Sequence, residues 1–306
     1  MNMEIAVIMT CFNRCQKTIR CLNSLYEARD RYNTTHNDEL HITVFVTDDS
    51  CTDGTREEVL LRFKKEDIHI ISGDGHCYWA GGMLMAWKKA LTDNEHWHFF
   101  LLLNDDTYVW SVVFDKLLET HKYSLATYGT PGIYSGITCD KYRNNIITYG
   151  GDVFLSKAKA KWRRVKPTGI PQEVDQANAN ILLIDSSVVK KIGIFHKGYI
   201  HGCADYDYTI QAKRHGVPVL VTAEICGFCE YDHLSDGEVL KRLRTMSLKE
   251  RRQYLNSPTH SDNDYLLFVK RNIPRKYYIS YVMRKLRLYF PWLYLYLCKV
   301  RRVDGY

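Results

Sequence analysis

The chain has 306 residues, 45% of them hydrophobic and 25% charged, which excludes a disordered or collagen-like protein and allows one large domain or two smaller ones. Its net charge of +7 is uneven: residues 1–237 carry 26 Lys and Arg against 30 Asp and Glu, whereas residues 238–306 carry 16 against 5. Nucleic-acid-binding proteins more often place positive charge on the folded domain that reads the polymer, so we expect no nucleic acid as a partner.

The cysteines and the apolar runs bear on the compartment. The ten cysteines show no paired spacing of a disulfide framework, and Cys226 and Cys229 form a lone CxxC motif, so we expect free thiols in a reducing cytoplasm. The apolar run at residues 5–10 is too short for a signal peptide and predicts a strand. No run of about 18 apolar residues indicates a membrane-spanning helix. A soluble or surface-bound protein is therefore expected.

Residues 1–120 alternate short apolar runs with amphipathic stretches. The pattern predicts strands at residues 4–10, 41–49, 69–72 and 98–105, and helices at residues 16–28, 55–65 and 82–91. Alternating strands and helices are typical of a parallel sheet with helices on its faces. The sequence therefore predicts an α/β fold.

A different pattern begins at about residue 130. It predicts a hairpin over residues 146–155 around Gly150-Gly151, strands at 179–187 and 218–225, and a helix at 205–216 that ends at Gly216. Beyond residue 237 only helices are predicted, at residues 247–255, 260–272 and 276–302. We expect residues 1–237 to form one domain, with halves at 1–120 and 121–237, and residues 238–306 to form a basic helical extension.

Polar residues follow the predicted strands where ligands bind such sheets. They are Thr10 and Asn13 after the first strand, Asp48 and Asp49 at the end of the second, residues 73–82 after the third, and Asp105 and Asp106 at the end of the fourth. Because the carboxyl ends of parallel strands meet at one edge of the sheet, we expect these side chains to surround a single site.

Asn104, Asp105 and Asp106 end a buried strand with two adjacent carboxylates. Such a pair is costly to bury unless a cation lies beside it. Mg²⁺ and Mn²⁺ prefer carboxylate oxygens together with substrate phosphates, so the pair predicts a divalent-metal site next to a diphosphate. A plain Asn-Asp turn is the alternative. His233 is a candidate third ligand, although a loop histidine is more often solvated or structural.

Two other segments have the chemistry to contact a nucleotide. Asp49 can accept the N3–H of a pyrimidine. Glycines in the 72–83 segment let the backbone approach a ligand closely, and the N–H groups of the helix after Gly82 can meet a phosphate. A flexible connection is the alternative for this glycine-rich segment.

Asp205 and Asp207 stand at the start of a predicted helix. Either carboxylate has the chemistry of a general base that deprotonates an acceptor hydroxyl. Carboxylates at this position also cap a helix and interact favourably with its dipole. The residues alone therefore leave open whether either aspartate is catalytic, and which one.

Five segments together resemble the family 2 glycosyltransferases, whose catalytic domain has the GT-A fold, in their order and spacing. They are VIMTCFNR, VTDDSCTDGT, GDGHCYWAGGM, LLLNDDTY and ADYDYTIQAKRHG. The resemblance covers about residues 3–235. The third segment and the extended form of the last, HGCADYDYTIQAKRHG, look like a rhamnosyltransferase-like subgroup of bacterial surface polysaccharide synthesis.

The resemblance implies a role for each matching residue. It places Thr10 and Asp49 against the pyrimidine of a nucleotide sugar, with Asn13, Asp48 and Asp105 in the same nucleotide-binding set. The donor loop it implies contains Gly75, Trp79, Gly81 and Gly82.

The resemblance also implies a Mn²⁺ or Mg²⁺ cofactor. Asp106 matches the direct ligand of the family's D-x-D-type metal motif. Asn104 replaces the first Asp of a strict D-x-D, so Asp105 is expected to assist through a water molecule.

The reaction implied by the resemblance is an inverting transfer from a UDP- or dTDP-linked sugar, with rhamnose as one candidate, to a hydroxyl of a glycan or lipid-linked acceptor. Asp205 matches the general base of the family's "ED" motif, but Ala204 stands where Glu is frequent. Asp207 therefore remains a competing candidate. On this basis residues 1–120 form the nucleotide-binding half of the GT-A domain and residues 121–237 the acceptor-facing half.

Residues 275–302 interleave basic and aromatic side chains on a predicted amphipathic helix interrupted at Pro291. This composition suits peripheral contact with anionic lipid at the inner face of the cell membrane. Packing against the catalytic domain, or against a second subunit in a homodimer, is an equal alternative.

Two other function classes remain open. A sugar-nucleotide pyrophosphorylase would want a glycine-rich loop with a basic residue after the first strand, and this chain has CFNRC there instead. A nucleic-acid-binding protein would act through the basic tail, and its binding would depend steeply on salt.

Overall fold

The computed structural model describes residues 2–94, 96–143, 145–157, 161–231, 236–260 and 262–303. Its strands are β1 Met3–Cys11, β2 Leu40–Asp48, β3 Ile68–Ser72, β4 Phe99–Leu103, β5 Tyr108–Val109, β6 Ile133–Asp140, β7 Ile146–Tyr149, β8 Gly151–Ser156, β9 Lys161–Arg164, β10 Gln172–Glu173, β11 Gln176–Ala177, β12 Ile181–Asp185 and β13 Val219–Phe228. Its α-helices are α1 Cys15–Thr35, α2 Thr55–Arg62, α3 Tyr78–Asp93, α4 Val113–Tyr128, α5 Ser186–Ile192, α6 Ala204–Arg214, α7 Asp236–Thr245, α8 Leu248–Asn256, α9 Asp262–Asn272, α10 Tyr277–Tyr289 and α11 Pro291–Val303.

The central sheet has the strand order β10-β13-β6-β12-β4-β1-β2-β3. Strands β3, β2, β1 and β4 pair in parallel, β12 runs antiparallel to both β4 and β6, and β13 pairs in parallel with β6. Six strands on this path therefore point the same way, and only β12 and β10 oppose them. The expected α/β fold with a mostly parallel central sheet is confirmed.

The four strands predicted for residues 1–120 are all present, within a few residues of their expected bounds. Helix α1 runs to Thr35 rather than 28 because Tyr32 continues its buried face. Helix α3 begins at Tyr78, so the expected start at Gly82 is wrong. A Cβ atom on Gly82 would lie 2.2 Å from Thr10 Oγ1, which shows that this glycine lets α3 pack closely against β1.

The hairpin expected over residues 146–155 is wrong. Strand β7 pairs with β6 in the central sheet, whereas β8 pairs with β9 and β11 in a separate three-stranded sheet. The chain crosses between the two sheets at Gly150, whose φ of +146° is a conformation that favours glycine. The glycine pair therefore marks a change of sheet and not a turn between paired strands.

Hydrophobic side chains fill both faces of the central sheet, because most of its strands are apolar on both sides. Trp87 of α3 is fully buried on one face, together with Phe195 and Tyr208. Leu22 of α1 and Phe114 of α4 are fully buried on the other. The two layers of helices hold the sheet edge that carries the polar residues in a fixed position.

The carboxyl-terminal helices expected beyond residue 237 are present, and α9 packs on the sheet domain. Its Phe268 and Val269 are buried in the same apolar cluster as Trp87. Arg271 and Asn272 both contact the Asp207 carboxylate of α6. In the part of the chain that the structure describes, no helix has both the length and the apolar character needed to cross a membrane.

Candidate active site

One cleft opens at the carboxyl ends of β1, β2 and β4 and has two connected pockets. The first pocket contains Thr10, Asp49, Gly75 and Tyr78 in its lining. The second, with a volume of about 570 Å³, is lined by residues that include Asp106, Asp205 and Arg164. Both pockets share Arg14, Trp79, Asp105, His201 and Thr259. The acidic residues expected to share one site therefore do so, with the exceptions described below.

Asp49 lines the first pocket and holds the loop after β3. Its Oδ1 accepts hydrogen bonds from the backbone N–H groups of Gly75 at 2.8 Å and Cys77 at 3.1 Å, and its Oδ2 accepts one from Tyr78 at 3.0 Å. A carboxylate has about four acceptor positions, so these three bonds leave capacity for a ligand donor. Asp49 is buried yet faces the pocket.

Of the other residues in the expected nucleotide set, the structure brings Thr10 to this pocket, whereas Asn13 and Asp48 do not line it. Thr10 lines it, and its hydroxyl donates to the Thr47 carbonyl at 3.2 Å. Asn13 accepts from the Thr52 N–H at 2.7 Å, and Asp48 accepts from the Cys51 N–H at 2.8 Å. Asn13 and Asp48 thus brace the loops that follow β1 and β2.

The donor-loop residues differ in their surroundings. Trp79 lines both pockets, and its indole N–H donates to Asn104 Oδ1 at 2.8 Å, which joins the third and fourth strand ends. Gly81 and Gly82 lie inside α3. The backbone N–H of Gly81 donates to the Ile200 carbonyl at 3.4 Å. In this described segment the helix therefore has no open start at Gly82 that could bind a phosphate, contrary to the expectation from the sequence.

Asp105 lines both pockets and Asp106 lines the second, and the guanidinium of Arg14 lies beside the pair. Arg14 Nη1 is 2.6 Å from Asp106 Oδ2 and 3.5 Å from Asp105 Oδ1. Burial, with the neighbouring Asp106 charge as a second cause, raises the pKa of Asp105 to about 7, while Arg14 opposes that rise. A positive charge from outside the strand therefore stabilises the adjacent carboxylates.

The donor set at this point suits a hard divalent cation. Asp105 and Asp106 present carboxylate oxygens to a cleft wide enough for a substrate, and such oxygens are the ligands that Mg²⁺ and Mn²⁺ prefer. Burial first, and the Asp106 charge second, raise the pKa of Asp105, and a cation beside the pair would stabilise its charged form. His233, the expected third ligand, lies outside the described residues.

Two other groups of the described residues have metal-binding chemistry. Cys11, Asp48 and Cys51 form one, and Asp49, Asp74 and Cys77 form the other. Both include a thiol, which is a softer ligand than Mg²⁺ prefers.

The structure separates the two candidate bases of α6. Asp205 lines the second pocket, where its carboxylate accepts from the N–H groups of Ala179 at 3.1 Å and Tyr206 at 2.8 Å. Burial raises its pKa to about 6, although these hydrogen bonds favour the charged form. Asp207 instead forms an ion pair with Arg271 at 3.0 Å and accepts from Asn272 Nδ2 at 2.7 Å.

Residues from the basic extension complete the cleft, and the sequence patterns missed them. Asp264 of α9 is buried and accepts the backbone N–H groups of Ile200 at 3.2 Å, His201 at 2.7 Å and Gly202 at 2.8 Å. His201 lines both pockets, as does Thr259 from the segment before α9. The 200–202 loop is thus held against the cleft by a residue more than 60 positions away.

Backbone strain concentrates around the same cleft. The described non-glycine residues with positive φ angles include Asn13 at +50°, Ser50 at +59°, Tyr78 at +51° and Cys203 at +65°. Asn13 and Ser50 lie in the loops after β1 and β2, Tyr78 is the first residue of α3, and Cys203 directly precedes α6. Such conformations are unfavourable for L-residues and often mark functional loops.

Comparison with known proteins identifies the family. The family described as "Glycosyl transferase family 2" matches residues 6–170, more than half of the chain. The chain belongs to glycosyl transferase family 2. It is therefore a glycosyltransferase, and the expected GT-A type of α/β fold agrees with the sheet described above. No curated protein matches the chain.

This glycosyltransferase is also similar in structure to TarS of S. aureus. The match to TarS 1–349 in complex with UDP-GlcNAc has 16% sequence identity and a TM-score of 0.49, and covers 89% of this chain and 73% of that one. The match to TarS 1–349 in complex with UDP has 16% sequence identity and a TM-score of 0.48, and covers 89% of this chain and 72% of that one. Against a longer TarS chain, identity is 17% and the TM-score 0.46, and the match covers 88% of this chain and 43% of that one.

Proposed function

We propose that this glycosyltransferase moves a sugar from a UDP- or dTDP-linked donor to an acceptor hydroxyl, with inversion at the anomeric carbon and with a divalent cation. The observation that carries the proposal is the convergence of Asp49, Asp106 and Asp205 on one cleft. The three carboxylates have different environments, which fits three separate tasks along an extended donor and acceptor.

The first pocket is the proposed nucleotide site. Asp49 keeps an acceptor position for the pyrimidine N3–H, a group that uracil and thymine share, and Thr10 lies beside it. Gly75 has a φ of +84°, a conformation that favours glycine, and because glycine has no side chain the base or ribose can approach its backbone closely. Trp79 borders the path from the base to the second pocket.

The junction of the pockets is the proposed diphosphate and metal site. Asp106, helped by Asp105, would hold Mn²⁺ or Mg²⁺. When bound, such a cation neutralises negative charge on the departing nucleoside diphosphate, a contribution of several kcal/mol at the transition state. Asn104 shapes this site by accepting the Trp79 indole N–H.

Asp205 is the proposed general base. Its carboxylate takes the proton of the acceptor hydroxyl while the oxygen forms a bond to the anomeric carbon and the bond to the diphosphate breaks. A base with a pKa of about 6 is deprotonated at neutral pH and still basic enough to accept this proton. Asp207 is an unsuitable base because its oxygens hold Arg271 and Asn272.

A thermal-shift experiment tests the donor site. UDP or dTDP at 100 times its Kd, with Mn²⁺, should stabilise the protein by about 2.7 kcal/mol. Asp106→Asn should abolish the dependence on Mn²⁺, whereas Asp93→Asn, a change of the same charge outside the cleft, should keep it. If saturating nucleotide leaves the midpoint unchanged in every case, the proposed donor site is wrong.

A transfer assay tests the base and the donor sugar. UDP- and dTDP-sugars, including dTDP-rhamnose, would be screened for metal-dependent hydrolysis, and the active donor used with the variants. Asp205→Asn should retain donor binding and lose transfer. Asp207→Asn should lower stability through the lost pairing with Arg271 and retain transfer when folded. The opposite result for the two variants would exchange their roles.

We also propose peripheral membrane contact through α10 and α11, which suits a lipid-linked acceptor in bacterial surface polysaccharide synthesis. Tyr278, Val282, Lys285 and Tyr289 share one exposed face of α10, and Trp292 of α11 is 64% exposed. Residues 275–302 contain eight Lys and Arg and no acidic residue. Exposed aromatic and basic side chains together favour an anionic lipid interface.

Vesicle sedimentation tests this surface. The protein should bind vesicles of phosphatidylglycerol and phosphatidylcholine more strongly than vesicles of phosphatidylcholine alone. The double variant Tyr278→Ser, Val282→Ser should weaken that binding. Leu61→Ser, which removes another exposed apolar side chain from α2, should not. Equal binding to both kinds of vesicle, or an unchanged double variant, would contradict the proposal.

A further inference from the structure

We infer that Arg14 serves as the resident cation of the Asp105–Asp106 pair while the donor is absent, and that it transfers to the donor diphosphate when a divalent ion binds that pair. The inference rests on the proposed nucleotide and metal site and adds a regulation of its occupancy. Its consequence is that metal and nucleotide bind with positive cooperativity through a single side chain.

The position of Arg14 is the first observation. It precedes α1 directly, and its guanidinium reaches Asp106 Oδ2 at 2.6 Å and Asp105 Oδ1 at 3.5 Å. The two carboxylates are largely buried, with side-chain exposures of 9% and 15%, whereas Arg14 is 46% exposed on the cleft side. The guanidinium therefore lies where the acidic pair meets the cleft.

Competition with a metal ion follows from this position. A divalent ion must come within about 2.1 to 2.6 Å of a carboxylate oxygen, and Asp106 Oδ2 already accepts a charge-assisted hydrogen bond from Arg14. A guanidinium keeps its positive charge at any accessible pH. It therefore repels an arriving cation until it moves, and metal binding without nucleotide is weakened.

A destination for the displaced side chain is also present. Arg14 borders both pockets, so its half-exposed side chain can turn into the cleft without a backbone change. Arginine binds phosphate oxygens in a bidentate manner that matches its planar donors. A donor diphosphate at the junction would thus remove Arg14 from the carboxylates and favour the metal, and by thermodynamic linkage the metal would favour the diphosphate.

A purely structural role is the competing explanation. In that case the ion pair only fixes the start of α1 on the end of β4, and its loss lowers stability without strengthening metal binding. The two explanations predict opposite changes in the affinity for metal alone. That difference makes direct metal titration the decisive measurement.

The experiment measures the Kd of Mn²⁺ from the electron paramagnetic resonance signal of the free ion, with and without UDP or dTDP. In the natural chain the nucleotide should tighten Mn²⁺ binding by about tenfold, within the range usual for coupled sites. Arg14→Met should bind Mn²⁺ alone about tenfold more tightly, bind nucleotide more weakly, and reduce the coupling toward onefold. Arg62→Met removes the same charge from the surface of α2, where Arg62 pairs with Glu58, and should change each Kd less than twofold.

Arg14→Lys provides a second test if the methionine variant folds poorly, as judged by its thermal midpoint. Lysine keeps the charge but loses the planar fork, so the coupling should fall while the Mn²⁺ affinity changes little. If the natural chain binds Mn²⁺ and nucleotide, and the coupling is unchanged in Arg14→Met and Arg14→Lys, this inference alone is overturned. If the natural chain binds neither ligand, both the proposed donor site and this inference are overturned.

Discussion

Replacement of Asp264 offers the clearest test of how the carboxyl-terminal helices serve the cleft. In Asp264→Ala, the N–H groups of Ile200, His201 and Gly202 lose the carboxylate that accepts all three. The change lies in α9, away from every residue proposed to contact the donor. Any effect on donor binding must therefore pass through the 200–202 loop.

The expected magnitude follows from those three bonds. A hydrogen bond to a charged group contributes about 1.5 to 3 kcal/mol, and an unsatisfied buried donor costs about 1 to 3 kcal/mol. The loop is partly exposed, with Ile200 at 42%, so water can satisfy some of the freed N–H groups. We expect a net loss of about 2 to 4 kcal/mol in the free energy of unfolding, and on the order of 5 °C or more in the thermal midpoint.

Two assays check this expectation together. Urea unfolding gives the stability change, and the Kd of UDP or dTDP with Mn²⁺ should rise because His201 lines both pockets. Asp264→Asn keeps one acceptor oxygen and should lose about half as much stability. Asp262→Ala, on the same helix but paired with Arg284 and Arg287, should affect stability and leave the nucleotide Kd unchanged. Unchanged stability and unchanged Kd in Asp264→Ala would refute the reasoning.

Two further predictions concern the pH dependence and the contact between α3 and β1. The rate of transfer should rise with pH through the pKa of Asp205, about 6, because a general base must be deprotonated. Burial places this pKa above the unfolded value of 3.8, so the folded protein gains stability from the protonation of Asp205 as the pH falls from about 6 to 3.8. Thermal midpoints measured over the same pH range should therefore show that the loss of transfer below pH 6 is not caused by the titration of Asp205 unfolding the protein. Gly82→Ala should destabilise the protein by about 1 to 3 kcal/mol and weaken nucleotide binding, because its Cβ would meet Thr10. The neighbouring Gly81→Ala, whose Cβ would have only Cys77 at 3.9 Å, should be close to neutral in urea unfolding, and equal effects of the two would contradict the packing explanation.

The sequence predicted those parts of the fold that depend on local patterns. The apolar runs of β1, β2 and β4 are buried on both sides, and polar residues begin where each strand leaves the core. Parallel pairing then brings Thr10, Asp49 and Asp105 to one edge without further information. The expected cleft therefore follows from periodicity and the known direction of parallel strands.

Contacts between distant segments were beyond these patterns. Neither the pairing of Arg14 with Asp106 nor the three bonds of Asp264 leaves a periodic signal, because each depends on how separate elements pack. Gly150 and Gly151 looked like a turn for the same reason, since a local pattern cannot show that the flanking strands join different sheets. Arg14, three positions after the end of β1, was a usable sign, because the ends of β1 and β4 were expected to meet and an arginine there can act as a counter-charge to the acidic pair.

The choice between Asp205 and Asp207 shows how geometry resolves an ambiguity of composition. Residues two positions apart on an α-helix point in nearly opposite directions, since each step turns by about 100°. One aspartate therefore faces the cleft, and the other faces α9 and its Arg271. The same helix that presents the proposed base thus anchors the basic extension, and Asp264 ties that extension back to the cleft wall. Helix α10 packs on α9, so the proposed contact with a surface-bound acceptor would be linked to the cleft through α9.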